Sequence, residues 1–299
     1  MTLRRSTRWI GRSVLLFASL VCLVTPTVMR AADAAPKSPD DAITPTDGVI
    51  KLFDGKTLGD TYTWLKDTKR EDPRKVFTVA DGMIHVSGDG YGCITTNKRY
   101  RDYHMVVEFK FGERTWHERE DKARDSGVLV HSNGKDGAYG GNWMPSIEVQ
   151  VIEGGVGDFL MVGGVDNDGK LVPISLTCNV GRDRDGEVIW QKDGKPETIK
   201  KGNSKRINWY GRDPDWKDER GFRGKDDVES PHGEWTRIDV YCRDGHIETF
   251  VNGTKVNEAN DVTPRAGRLQ LQTEMAEIFY RRWELWPLDN GPKPEAAKQ

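Results

Sequence analysis

Ser146-Ile147-Glu148-Val149-Gln150-Val151-Ile152-Glu153 alternates polar and apolar side chains, and that alternation decides how the chain is read. Successive side chains of a β-strand point to opposite faces, so Ser146, Glu148 and Gln150 share one face while Ile147, Val149 and Val151 take the other. One face is core and the other is wet. A solvated strand face usually carries Lys, Thr and single charges. A carboxylate next to a carboxamide resembles the hydrogen-bonding surface of a sugar cleft, and the ordinary solvated face is the competing reading.

The same pattern recurs outward from this strand. Short β-branched or aromatic runs predict strands over 76–79, 83–87, 104–111, 127–131, 236–241, 247–252, 268–273 and 279–286. Asp81-Gly82, Asp244-Gly245 and Asn252-Gly253 supply turns that tolerate positive φ. Long 3.6-period apolar patterns are scarce, so the expected class is all-β, a sandwich of two antiparallel sheets. The stretch 182–233 is dense in charge and Gly yet contains Trp190, Trp209, Tyr210 and Trp216, which marks a long polar loop insertion packed on the sandwich.

The N-terminus bears on compartment. Arg4, Arg5, Arg8 and Arg12 precede the apolar run 13–24, and Ala32-Asp33-Ala34 offers small residues for cleavage, the pattern of a secretory signal over 1–34. The run falls short of the ~20 residues of a spanning helix, so no permanent membrane span is expected. An exported protein, periplasmic or extracellular, follows. Residues 35–47 read as a flexible leader, 48–289 as one domain, and 290–299 as a flexible tail. Loss of 1–34 removes five arginines and Asp33 and takes the formal charge from -2 to about -6, which disfavours nucleic acid. Cys93, Cys178 and Cys242 then form an odd set without a CxxC pair, so no zinc site is indicated.

Several segments taken in order carry a family resemblance. Leu52-Phe53-Asp54-Gly55-Lys56-Thr57-Leu58, Asp125-Ser126-Gly127-Val128, Glu148-Val149-Gln150, Gly233-Glu234-Trp235, Val251-Asn252-Gly253 and the stretch from Gly267 to Glu274 together resemble the 3-keto-disaccharide hydrolase family, over residues 49–288. The resemblance implies a concanavalin A-like jelly roll whose concave sheet binds a saccharide substrate. It also implies cleavage of 3-keto-glycosides. A ketone at C3 acidifies the hydrogen on C2, a base removes it, the C1 substituent leaves, and water adds back. That chemistry needs a base, donors or a metal at the enolate oxygen, and an acid at the leaving oxygen. Oxidation at C3 falls to a separate oxidoreductase, since no Gly-rich dinucleotide loop is present here.

Glu148 is the expected base, with Gln150 orienting a hydroxyl or the keto oxygen. His131 shares a face with Gly127 and Leu129 and is expected to donate to the enolate or to bind a metal. Gln272 and Glu274, alternating with Leu271 and Thr273, form a second polar face of the same type. Trp143 is a sugar-stacking wall or a core anchor, and Ser126 allows close packing or ligand approach. Glu108 and Lys110 are secondary cleft residues. Glu148-x-Gln150-x-x-Glu153 repeats the spacing of the glucanase E-x-D-x-x-E signature, but strict alternation sends Glu153 to the opposite face unless a bulge intervenes. A divalent cation held by Glu148, Glu274 and His131 is an open possibility. A glucanase-like glycosidase and a non-catalytic carbohydrate-binding module are the alternative readings.

Overall fold

In the computed structural model, residues 41–200 and 206–299 are described. The expected leader peptide over 1–34 lies outside them. Among the described residues no helix is long and apolar enough to cross a membrane.

Among the described residues the strands form two antiparallel sheets. The larger contains β1 (Ile50–Lys51), β3 (Phe77–Ala80), β4 (Met83–Val86), β6 (Tyr103–Thr115), β10 (Ser175–Arg182), β11 (Val188–Trp190), β12 (Lys195–Lys200), β14 (Thr236–Arg243), β15 (His246–Val251), β16 (Thr254–Thr263) and β18 (Ala276–Trp286). The smaller has seven strands in the order β13-β9-β8-β7-β17-β5-β2, where β2 is Thr61–Leu65, β5 Tyr91–Thr96, β7 Asp125–Ser132, β8 Ser146–Ile152, β9 Phe159–Val162, β13 Arg206–Ile207 and β17 Arg268–Glu274. This is the expected jelly-roll sandwich. Every strand read from alternation is present.

The core lies between the sheets. The smaller sheet contributes Ile94, Val128, Val130, Ile147, Val149, Val151, Leu269 and Leu271, all buried. The larger answers with Met105, Val107, Phe109, Ile238, Val240, Ile278 and Leu285. Full burial of a Val or Leu side chain contributes roughly 1.5–3 kcal/mol, so a one-residue slip of β8 would exchange three such anchors for carboxylate and amide groups. The polar outer face of the smaller sheet is therefore held in place by the apolar inner one.

Two expectations about the periphery differ from what is found. The insertion over 182–233 is not all loop, since it includes β11, β12 and β13. The tail beyond residue 290 is tied down. Gln299 accepts from Trp235 N at 2.8 Å, and Glu295 pairs with the buried Arg237 at 3.1 Å.

Candidate active site

Neighbouring strands of the smaller sheet converge on one outer patch. On β8 and β7, Glu148 faces Leu129 and Gln150 faces Gly127; on the other flank, Gln270 of β17 pairs with the same Leu129. Alternation along β17 then carries Gln272 and Glu274 onto the same face. Gly127 is the floor of this patch. A Cβ placed on it would sit 2.3 Å from Glu148 Oε1 and 2.4 Å from Gln272 Oε1, so the missing side chain is what lets the two residues approach. Glu148, Gln150, Gln272 and Glu274 are thus brought together as the alternation implied.

The group is built around carboxyls. Asp125, two residues before Gly127, accepts from Gln150 Nε2 at 3.1 Å and is clasped by Arg119 Nη2 at 2.5 Å. Burial pushes the Asp125 carboxyl up to about 6, with Arg119 pulling the other way. Glu148 is raised to about 8, first by burial and then by the neighbouring Asp125 charge, with Arg206 opposing. Glu274, which lies at the mouth and is reached in part by solvent, is held well above the usual carboxylate range by desolvation and then by Asp125 and Glu148. Near neutral pH this stack holds more protons than three ordinary carboxyls would.

The amides are poised for something else. Oε1 of Gln150 is buried without a hydrogen-bond partner, while the buried Gln272 amide reaches toward Glu148 and favours its ionised form. Native proteins rarely leave such groups unsatisfied, because each costs about 1–3 kcal/mol.

Arginines close two sides. Arg119 comes from a 3-10 turn at His117–Arg119 and also reaches Asp218 of the insertion at 3.3 Å. Arg206 of β13 faces all three carboxyls and lies 3.7 Å from Asp158, the buried acid that also accepts from Arg212 and from Trp209 N. Asp125, Arg119 and Arg206 were not expected as site residues. Asp125 shares the Gly127 face by simple alternation, a signal available in the sequence. The arginines arrive from a turn and from the insertion, and no local pattern reports them.

Other expectations require correction. His131 has φ +53, and the β7–β17 register shifts nearby, between Arg268 and Gln270. The ring therefore leaves the outer face, packs edge-on against core Tyr103 at 5.9 Å, and Nδ1 pairs with Pro264 O at 2.9 Å. Burial lowers it to about 4, so it stays neutral, and it cannot join Glu148 and Glu274 around a cation. Ser126 faces the interior, donating to Gln272 O at 3.0 Å beside Tyr280 OH.

Glu153 lies beyond the end of β8, where no bulge returns it to the patch. It accepts from Arg124 Nη1 at 2.7 Å and from Gly221 N at 2.8 Å, latching the insertion to the sandwich. Glu108 and Lys110 belong to the other sheet. Glu108 pairs with Arg281 at 2.5 Å and Arg282 at 2.8 Å, and Lys110 sits 5.0 Å over Trp235. Trp143 is on the correct side of the molecule but buried, its indole N–H given to Gly92 O at 2.8 Å. The ring exposed on that wall is Tyr139, stacked on Trp143 at 5.9 Å and 45% exposed.

Among the described residues, the His, Asp and Glu atoms that gather within 4.8 Å of one another are those of His246, Glu248 and Glu258, on the larger sheet. There Lys255 Nζ already lies 2.5 Å from Glu248 and 2.6 Å from Glu258, supplying the positive charge.

A two-sheet sandwich with acids and amides converging on one outer face is the architecture of a carbohydrate-active enzyme. The chain belongs to the 3-keto-alpha-glucoside-1,2-lyase-like domain family, which it matches over residues 48–285. No curated protein matches it. Among solved structures it is similar to a protein from Parabacteroides distasonis ATCC 8503 provisionally described as a glycosyl hydrolase, at 18% identity and TM-score 0.45, covering 81% of this chain and 94% of that one. It is similar also to the κ-carrageenase of Pseudoalteromonas carrageenovora, at 12% identity and TM-score 0.41 over 87% and 99% of the chains. The β-glucanase of Bacillus licheniformis gives 11% identity and TM-score 0.34 over 82% and 94%.

Proposed function

We propose that this protein cleaves 3-keto-glycosides by elimination and hydration. The reading is carried by the buried Gln272 amide reaching toward a carboxyl whose proton affinity has been raised to about 8. Glu148 takes the C2 proton: a carboxylate in this range is a far stronger base than an ordinary one and still ionises near working pH. Gln272 Nε2 donates to the oxygen that gains charge as the enolate forms, and Arg206 adds positive charge to the same space. Glu274 keeps its proton and delivers it to the leaving oxygen. Asp125, locked by Arg119 and Gln150, supplies the fixed charge that helps set the basicity of Glu148. Water then adds across the double bond, and the net result is hydrolysis.

The location of Glu153 speaks against the glucanase E-x-D-x-x-E arrangement in particular. A retaining glycosidase needs two carboxyls about 5–5.5 Å apart across the sugar. The second acid of the E-x-D-x-x-E spacing is instead paired with Arg124 outside the cleft. The third ketone-specific demand, a donor for an enolate, has an occupant in Gln272.

The test is direct: the purified chain is incubated with a disaccharide and with its C3-oxidised counterpart, with and without a chelator. Cleavage of the oxidised sugar alone supports elimination, and cleavage of the native sugar replaces it with glycosidase chemistry. Binding without turnover leaves a carbohydrate-binding module. Loss of activity with chelator would assign the enolate stabilisation to a divalent cation. We further propose export through residues 1–34, with a separate oxidoreductase supplying the ketone; N-terminal sequencing of the protein recovered from the cell envelope checks the first point.

A further inference from the structure

The larger sheet carries a buried polar cluster on its own outer face. Ile238 and Val240 of β14 and Met105 and Val107 of β6 point into the core, so Arg237, Asp239 and Tyr241 of β14 and His104 of β6 point out. His104 and Tyr241 are register partners, their rings stacked at 4.0 Å. His104 Nε2 lies 2.7 Å from Asp239 Oδ1, which also accepts from Arg237 Nη2 at 2.7 Å, and the three side chains are at most 1% exposed. Outward-facing charges are buried only when something lies across them.

What lies across them is the segment 291–299, extended and outside both sheets. A Cβ on Gly291 would stand 2.3 Å from His104 Nδ1, and Arg237 donates to Lys293 O and to the Glu295 carboxylate, both at 3.1 Å. Farther along, Ala297 N donates to Asn252 Oδ1 at 3.3 Å, Arg281 donates to Lys298 O, and the Gln299 amide exchanges two hydrogen bonds with the Trp235 backbone at 2.8 and 3.1 Å. Contacts to the segment's main chain accept any sequence. Three of its side chains are read individually: Glu295 by the Arg237 fork, Ala297 by a buried position that takes a small group, and Gln299 by a backbone donor and acceptor. The pattern is an acid, a small residue two positions on and an amide four positions on.

The hold is loose. Glu295 is 61% exposed, and Ala297 is the one buried residue of the segment, so hydrogen bonds that water can replace do most of the holding. Segments with so little apolar burial open without global unfolding. Beneath this one, His104 Nδ1, Asp239 Oδ2 and Arg237 Nε have no hydrogen-bond partner among the described residues. The segment covers the cluster without satisfying it, which leaves a better-matched ligand room to displace it.

We propose that this strip is a recognition groove for an extended acidic peptide presented by a partner protein, and that residues 291–299 keep it shut as an intramolecular ligand. The groove and the carboxyl group lie on different sheets, so a docked partner leaves the chemistry undisturbed.

The test uses a fluorescent peptide of residues 291–299, titrated into the full chain and into two full-chain variants altered in the segment alone. Gly291→Val drives the segment off His104, and Ala297→Arg is too long for its buried position. Tethering favours the parent's own segment, so the peptide should bind both variants about tenfold more tightly than the parent. A protease that cuts after glutamate should cleave at Glu295 about tenfold faster in the variants, with circular dichroism unchanged. A peptide carrying Glu295→Ala should bind about tenfold more weakly. Equal peptide affinity in parent and variants, or none in either variant, overturns the groove; unchanged cleavage overturns its closure by the segment; and indifference to Glu295→Ala overturns the reading of the acid. Variants that dimerise as the segment comes free would give the groove to a second copy and overturn the separate partner.

Discussion

Gly127 lies so close beneath Glu148 that a Cβ on it would stand 2.3 Å from Oε1. The absence of one methyl group is what allows strands β8 and β17 to present Glu148 and Gln272 to the same point.

Gly127→Ala tests that relationship. The atoms it meets are ends of flexible side chains, so they swing aside and the sandwich survives, at an overpacking cost of about 1–3 kcal/mol. Turnover should fall at least a hundredfold while circular dichroism stays that of the parent. Activity within a few-fold of the parent would show that the Glu148 and Gln272 placement is unimportant.

Glu148→Gln should lower kcat by roughly 10²–10⁴, the range of general-base catalysis. It should also change stability in a direction set by pH. The folded chain holds the Glu148 proton more tightly than an unfolded one, so the stabilisation is full below about 4.5 and is lost as pH rises through about 8. At pH 9 the amide variant should therefore melt above the parent, by roughly 2–4 °C for each kcal/mol of repulsion removed. At pH 4 the two should melt together.

The pH dependence of kcat/KM should rise through an apparent value near 8 as Glu148 ionises. Asp125→Asn removes the neighbouring charge that raises Glu148, so the rising limb should move to lower pH even as the rate falls. A limb that stays in place would mean that another group is the base.

Glu153→Ala separates structure from chemistry. It leaves the buried Arg124 guanidinium with only the exposed Glu113 carboxylate at 3.9 Å, a loss of about 3–5 kcal/mol, seen as a lower urea midpoint. At temperatures where the variant is folded, kcat should remain within a few-fold of the parent. A loss as large as that of Glu148→Gln would return Glu153 to the catalytic group.

Much of the fold was legible because each clear strand announces its two faces. Ile147, Val149 and Val151 demand burial, and that alone orients Glu148 and Gln150 outward; the same holds for Leu269 and Leu271 against Gln272. β10 and β16 were not predicted: β10 alternates, burying Leu176, Cys178 and Val180, but its other side is Ser, Thr and Asn, residues that also build turns, and β16 carries Asn, Glu and Asp through its middle. His131 was misplaced because the period-2 rule assumes an unbroken ladder, and a φ of +53 breaks it at that residue. Glu153 was misplaced for a related reason: β8 ends at Ile152, and the next side chain obeys the turn rather than the sheet.

The sequence by itself determined the sandwich, the side of the smaller sheet that bears chemistry, and four of the residues standing there, because burial of alternate apolar side chains leaves their neighbours one direction to point. Only the tertiary structure decided that Asp125, Arg119 and Arg206 complete the group, that Glu108 and Lys110 lie on the other sheet, and how strongly each carboxyl holds its proton. Apart from the position of Asp125, which alternation along β7 carries, those properties depend on how separate segments meet in space and on the water excluded between them, and no local pattern of residues encodes either.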